Sequence, residues 1–263
     1  MTSIVVKLGG HALDDLTSAS AVLDDLAHDV AQLINAGVKV AVVHGGGPQI
    51  AQLLDRVGIA SRFYEGLRIT DEETMSYVAM ALLLINVQIT AALNQAGLRT
   101  VGVAGVDGGL FRASALGDPW GRAANTPRVN VETIEALWSS SCTPVVCSLA
   151  LDENGGLLNC NADTAAGALA GALGARELVL LSDIDQLLAD PDDDTTRLAH
   201  VTGDQVRALI DSGAAREGMR PKMRAALDAL EGGANKVLLA NGTRAHALAG
   251  SLNSLIPTTE VAP

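Results

Sequence analysis

The chain has 263 residues, 48% hydrophobic and 18% charged, which provides for a sizeable core and excludes a disordered chain. The formal net charge of −12 makes nucleic acid and anionic membranes poor partners, because affinity for both rests on clustered cations. Only Lys7, Lys39, Lys222 and Lys236 are lysines, so an anionic substrate must be met by a few placed cations and by backbone amides.

Ile4–Lys7 reads as a short strand closed by Gly9 and Gly10. Residues 17–36 are amphipathic, and Gly37 is a helix stop. Lys39–Val43 is a second strand. It runs into HGGG (44–47), and Pro48 suits the first turn of the next helix. Residues 59–69 read as a turn or hairpin. TDEE, starting at Thr70, has the capping-box spacing to Glu73 and opens a long helix reaching about Ala96. Arg99–Ala104 is a third strand. Residues 105–130, rich in Gly, Pro and Asn, read as an irregular excursion.

Helix 131–139 and strand 144–149 follow, then an alanine-rich helix over 163–173 ended by Gly174. Residues 178–181 form an apolar strand, and 191–194 an acidic loop. Helices over 203–212 and 219–231, a strand over 236–240 and a helix near 244–252 complete the chain. Apolar strands alternating with helices predict an α/β fold, a three-layer αβα sandwich around a mainly parallel open sheet. The three cysteines (Cys142, Cys147, Cys160) lack metal spacing and read as reduced thiols in a cytoplasmic protein. No apolar run reaches the ~18 residues of a membrane span; Val78–Ile85 reads as a buried helix segment.

In open parallel sheets, ligands bind beyond the carboxyl ends of the strands. Three glycine-rich turns fall there: KLGG (7–10), HGGG (44–47) and AGVDGG (104–109). Glycine lets backbone N–H groups approach an anion. Neither GxGxxG nor GxxxxGK[ST] is present, which argues against a Rossmann dehydrogenase and a P-loop kinase. Lys7 is either a strand-end lysine reaching solvent or an anion ligand. Lys222, at a helix start, is either an ordinary first-turn residue or an anion ligand. Asp163 either caps its helix or holds both lysines. Arg68 is either a surface arginine on a hairpin or a fork for a carboxylate. His44 reads as packing, and Asp107 as a turn residue.

KLGG, VHGGGPQI (43–50), GLRITDEETM (66–75), NCNADTAAGALA (159–170), LLSDID (180–185) and GMRPKM (218–223) resemble, in order and spacing, the acetylglutamate kinases of the amino-acid-kinase superfamily. The resemblance implies ATP-dependent phosphorylation of the γ-carboxylate of N-acetyl-L-glutamate in arginine biosynthesis, with Mg²⁺ carried by the nucleotide phosphates and no resident metal. It implies that Lys7 and Lys222 contact the transferring phosphoryl group and that Asp163 holds them. Gly10, Gly46 and Gly47 would offer N–H groups to the phosphoryl group and the attacking carboxylate, and Arg68 and Asn159 would bind the acyl amino acid. Asp183, Gly218 and Met219 would line the nucleotide site with Gly10. Residues 1–175 would form the acyl-amino-acid lobe, through which a homodimer is joined, and residues 176–263 the ATP lobe, on one continuous sheet.

Three positions depart from the family pattern. Val87 stands where many members have lysine, Val106 replaces the lysine of GKDGG, and Asp185-Gln186 lacks the usual glycine. The chain starts almost directly with the first strand, where arginine-inhibited members carry an extra helix; this implies insensitivity to arginine. Alternatives are a kinase for a related acylated acid, such as an aminoadipate derivative, or a silent binding protein with this fold.

Overall fold

The structure, a computed structural model, describes residues 2–9, 20–190, 192–213 and 219–263. Its centre is an eight-stranded sheet. In chain order the strands are β1 (Ser3–Leu8), β2 (Lys39–His44), β3 (Thr100–Ala104), β4 (Thr143–Cys147), β5 (Glu177–Ser182), β6 (His200–Thr202), β7 (Lys236–Asn241) and β8 (Thr258–Ala262). Across the sheet they run β6-β8-β7-β5-β1-β2-β4-β3. Every pairing is parallel except β7 with β8. The helices are α1 (Ala21–Asn35), α2 (Gly47–Arg56), α3 (Glu72–Gln95), α4 (Glu132–Ser139), α5 (Ala162–Ala172), α6 (Gly203–Asp211), α7 (Arg220–Glu231) and α8 (Ala247–Leu252).

Strand periodicity decides the layers. Ile4, Val6 and Leu8 of β1 pack on one face with Leu23 and Leu26 of α1, Ile85 and Ile89 of α3 and Leu248 of α8. Val5 joins the opposite face, with Ala165, Ala166 and Leu169 of α5 and Ala225 and Ala226 of α7. Alternation puts Lys7 on the Val5 side, toward α5, and His44 on the side of Val40 and Val42, toward α3. The expected sandwich is therefore present, with its site-forming strand flanked by β5 and β2. A crevice opens beyond the carboxyl end of β1, where the order of connections reverses.

Two expectations are corrected, and two further strands appear that the sequence reading did not include. Residues 105–130 are not irregular. Strands Phe111–Arg112, Ala115–Gly117, Gly121–Ala124 and Arg128–Val129 join Leu149–Leu151 and Leu157–Asn159 in a second, six-stranded sheet. These pieces are two to four residues long and partnered far along the chain, so no local alternation announces them. The N-cap of α3 is Asp71, whose side chain accepts from the Thr74 N–H at 2.8 Å. Thr70 is unavailable for that role: its hydroxyl donates to the Arg68 carbonyl and accepts from Asn159. The C-terminal segment forms strand β8, and residues 200–202 form β6. The 24-residue α3 is long and apolar enough to cross a membrane by length and composition, beyond the short segment read from sequence. The start of the first helix at Thr17 lies outside the described residues.

The turn Glu65-Gly66 joins Phe63–Tyr64 to Leu67–Arg68 with φ of 49° and 78°, the two-residue hairpin geometry that suits strand twist. Helices α5 and α7 run in the same direction and nearly touch. A Cβ on Gly167 would lie 2.5 Å from the Ala225 carbonyl oxygen, and one on Gly171 2.9 Å from the Gly232 Cα. This approach sets the distance between Asp163 and Lys222 at the helix starts. Gly167→Leu is expected to destabilise the chain by about 2–3 kcal/mol through overpacking against backbone, read as a lowered urea midpoint.

Candidate active site

Lys7, at the end of β1, and Asp163, in the first turn of α5, are both buried. The Lys7 Nζ lies 2.7 Å from Asp163 Oδ1, and the Lys222 Nζ donates to Asp163 Oδ2 at 3.3 Å. Asn161, not Asp163, caps α5: its side chain accepts from the Asp163 and Thr164 N–H groups at 2.9 and 3.1 Å. That leaves both oxygens of Asp163 for the amines, which decides between its two sequence readings. Two amines on one carboxylate stand side by side with little exposure to water.

Burial lowers the Lys7 pKa, and the Lys222 charge lowers it further, against the pull of Asp163. Burial alone would raise the Asp163 carboxyl; the two lysines outweigh this and hold it below the usual range. Gly9 has a steric reason to be glycine, because a Cβ there would occupy the place of the Lys7 amine. Sequence reasoning passed over Gly9, although it sits in the same KLGG.

Lys7 and Asp163 face a cavity of about 220 Å³. Its lining includes Lys7, Gly46, Gly47, Arg68, Asn159 and Asp163, so the structure brings these expected residues together. Gly46 and Gly47 enter α2, whose first N–H groups point out of the helix end. Arg68 lies across the lining. Its guanidinium donates to the Gly47 carbonyl at 3.1 Å and to the Ser61 hydroxyl, and sits over the Phe63 ring at 4.7 Å. No carboxylate among the described residues pairs with it, although it is only 7% exposed. A buried cation on a cavity wall without a protein counter-ion is an anion receptor in waiting. Asn159 donates to the Thr70 hydroxyl at 3.0 Å, which fixes its amide at the wall.

On the other side, Asp183 is exposed just beyond β5 and acts electrostatically on Lys7. Met219 precedes α7 and packs partly on the core. Gly10 and Gly218 lie outside the described residues. Sequence reasoning also missed Ser148 and Asn161 in the cavity wall. Asn161 was legible, since Asn before an alanine-rich run is a capping signal; Ser148 carries no such signal. Cys160 also lines the cavity, but burial pushes its thiol up to about 12, which leaves it no nucleophile at neutral pH. Among the described residues, no group of three or more His, Cys, Asp or Glu side chains could hold a metal ion.

The departures have local explanations. Val87 is exposed on α3, and Val106 packs beside the Asp107 turn, where Asp107 Oδ2 accepts from the Ala104 N–H at 2.8 Å. Gln186 donates to the Thr258 carbonyl at 3.0 Å, binding the loop after β5 to β8.

His44 is fully buried, and burial pulls its pKa from 6.5 to about 4. On acidification the unfolded imidazole therefore takes up its proton before the folded one. The stability it contributes is present above pH 6.5 and drains away toward pH 4, a loss of about 3 kcal/mol. Urea midpoints measured across that window should fall with pH, and His44→Gln should remove this component of the fall.

Residues 2–241 match the amino acid kinase family. The chain is 40% identical over 247 residues to a protein named acetylglutamate kinase from Prochlorococcus marinus strain NATL1A, covering 93% of this chain and 80% of the relative. It is 36% identical over 258 residues to one of the same name from Methanococcoides burtonii, covering 93% and 84%. The structure of a carbamate kinase from Giardia superposes with a TM-score of 0.68 at 18% identity, over 99% of this chain and 98% of that one, a likeness of fold. With the paired lysines, the glycine turns and the sheet order already in place, these matches make the chain a member of the amino acid kinase family.

Proposed function

We propose that this protein is an acetylglutamate kinase, which transfers the γ-phosphoryl group of ATP to the γ-carboxylate of N-acetyl-L-glutamate. The observation that carries the reading is that Lys7 and Lys222 share the one carboxylate of Asp163, beside a small cavity that Lys7 and Asp163 line together with Arg68, which no carboxylate among the described residues pairs. Such a cavity suits a small diacid, with one carboxylate at the lysines and the other at the arginine. The 36–40% identical relatives named acetylglutamate kinase support the same choice.

The chemistry needs little beyond positioning and charge. A γ-carboxylate oxygen forms a bond to the γ-phosphorus, and the bond from phosphorus to the β,γ-bridging oxygen breaks, its electron pair leaving with ADP. The attacking carboxylate is ionised at neutral pH, so no proton has to be removed. Lys7 and Lys222 offset the repulsion between the two anions, and the Gly46 and Gly47 N–H groups face the same space. Asp163 is committed to the lysines. Mg²⁺ would enter on the nucleotide phosphates, where it neutralises charge, with water filling its remaining positions.

Asp183, Met219 and the residues around Lys222 belong to the nucleotide side in this reading. Residues 1–175 form the acyl-amino-acid lobe and residues 176–263 the ATP lobe, meeting where β1 pairs with β5. We read the protein as cytoplasmic and homodimeric. One face of α3 locks onto the main sheet through Ile85, Ile89 and Leu93. The opposite face exposes Met80, Leu83, Leu84 and Val87, one helical stripe beside edge strand β3, whose Val101 is also exposed. A second copy would cover that stripe.

Wild-type protein with Mg-ATP and N-acetyl-L-glutamate should release ADP and form an acyl phosphate that hydroxylamine traps as a hydroxamate. No hydroxamate at saturating Mg-ATP, or preference for an aminoadipate derivative, would overturn the assignment. Lys7→Ala should lower kcat by a factor corresponding to about 3 kcal/mol or more, with smaller changes in KM. Arg68→Ala should instead raise KM for the acyl amino acid by the worth of a charged hydrogen-bonded pair, about 2 kcal/mol. Light scattering should give a dimer mass, and Leu84→Glu with Val87→Glu should shift it toward the monomer.

A further inference from the structure

We propose that His44 is a positioning residue: its imidazole, held in one tautomer by Asn86, sets the plane of the Gly45–Gly46 peptide and aims the Gly46 N–H into the cavity. The inference rests on the reading of that cavity as the place of phosphoryl transfer.

His44 ends β2, and its Nδ1 lies 2.9 Å from the carbonyl oxygen of Gly45. A carbonyl can only accept, so Nδ1 must carry the hydrogen. The other ring nitrogen, Nε2, lies 3.1 Å from Asn86 Nδ2. The orientation of that amide is decided independently. Asn86 Nδ2 also lies 2.8 Å from the Val145 carbonyl oxygen, which again requires a donor. The amide oxygen is turned instead toward Gly102, where a Cβ would collide with it. Asn86 thus gives one hydrogen to Val145 and one to Nε2, and Nε2 must be bare. Both ends of the ring select the same neutral form, protonated on Nδ1.

The consequence for the turn follows from the trans peptide bond. The C=O of Gly45 and the N–H of Gly46 belong to one plane and point in opposite directions. Tying the Gly45 oxygen back to His44 therefore turns the Gly46 N–H the other way. The flanks cannot swivel freely: Gly45 N–H donates to the Leu8 carbonyl at 3.3 Å, and the Gly46 carbonyl accepts from Ile50 N–H at 2.8 Å. Among the described residues no acceptor takes the Gly46 N–H, and Gly46 lines the cavity. The side chain of Ile85 on α3 fills the space behind Gly46, where a Cβ would otherwise stand. Helix α3 thereby fixes an N–H donor in the site through His44. A preset donor of this kind acts on charge that develops during transfer, and so on turnover more than on binding.

Two measurements test this. In wild-type protein labelled with ¹⁵N-histidine, the long-range ¹H–¹⁵N pattern of His44 near pH 7 should be that of the Nδ1–H form; the Nε2–H pattern would overturn the proposal. Second, His44→Asn and His44→Gln should differ. The asparagine Nδ2 reaches the place of the imidazole Nδ1 and can donate to Gly45. Glutamine reaches the place of Nε2 and leaves the Gly45 carbonyl without its donor. His44→Gln should lose about tenfold to a hundredfold in kcat, with KM for Mg-ATP within about threefold, and His44→Asn should recover most of that loss. Equal losses in the two variants, or losses that follow the melting temperature, would overturn it. If neither variant folds, the tautomer spectrum decides alone. An inactive wild type would defeat the proposed reaction, and the spectrum would still decide whether His44 orients the turn.

Discussion

A single carboxylate between two ammoniums is the contact around which this molecule is arranged. Asp163 is buried with Lys7, and Lys222 is nearly so, so each charge has given up most of its hydration. Desolvation on that scale is tolerated only when opposite charges are in contact and well placed. Both amines depend on the same carboxylate, so their positions are coupled. Lys7 and Asp163 line a cavity, where an incoming anion would meet an amine already held in place. The residue is thus a tether for the amines as well as their counter-ion.

Much of the surrounding structure serves the geometry of that contact. Strand alternation in β1 turns Lys7 to the face that α5 covers. Asn161 takes over the helix cap and so releases both Asp163 oxygens. The glycines of α5 and α7 let two parallel helices approach to near backbone contact, which brings Lys222 within reach of Asp163. The starts of both helices meet at the same point, and unpaired N–H groups at helix starts favour negative charge there. Glycine at position 9 leaves the amine its space.

The opposite wall follows a different principle. Arg68 is held by neutral partners, the Gly47 carbonyl and the Ser61 hydroxyl, and by the face of Phe63. It is oriented, and no carboxylate among the described residues neutralises it. The lysine end is pinned by a charge and the arginine end by dipoles, so the second is free to take a carboxylate of its own. Thr70 and Asn159 join this wall to the start of α3, so the small sheet and the long helix hold the cavity from two sides.

The sequence alone determined the layered architecture, because buried parallel strands must read as apolar runs and surface helices as 3.6-residue stripes. It also determined which side chains could carry chemistry: in an acidic chain with four lysines, two of them stand beside glycine-rich or helix-start signals. It could not decide whether Asp163 caps or tethers, since both roles suit the same position; the neighbouring Asn161 settles that in space. The small sheet, β6 and β8, and the His44–Asn86 contact were likewise decided by tertiary structure alone. Each is made of hydrogen bonds between residues distant in the chain, and local periodicity carries no record of such partners.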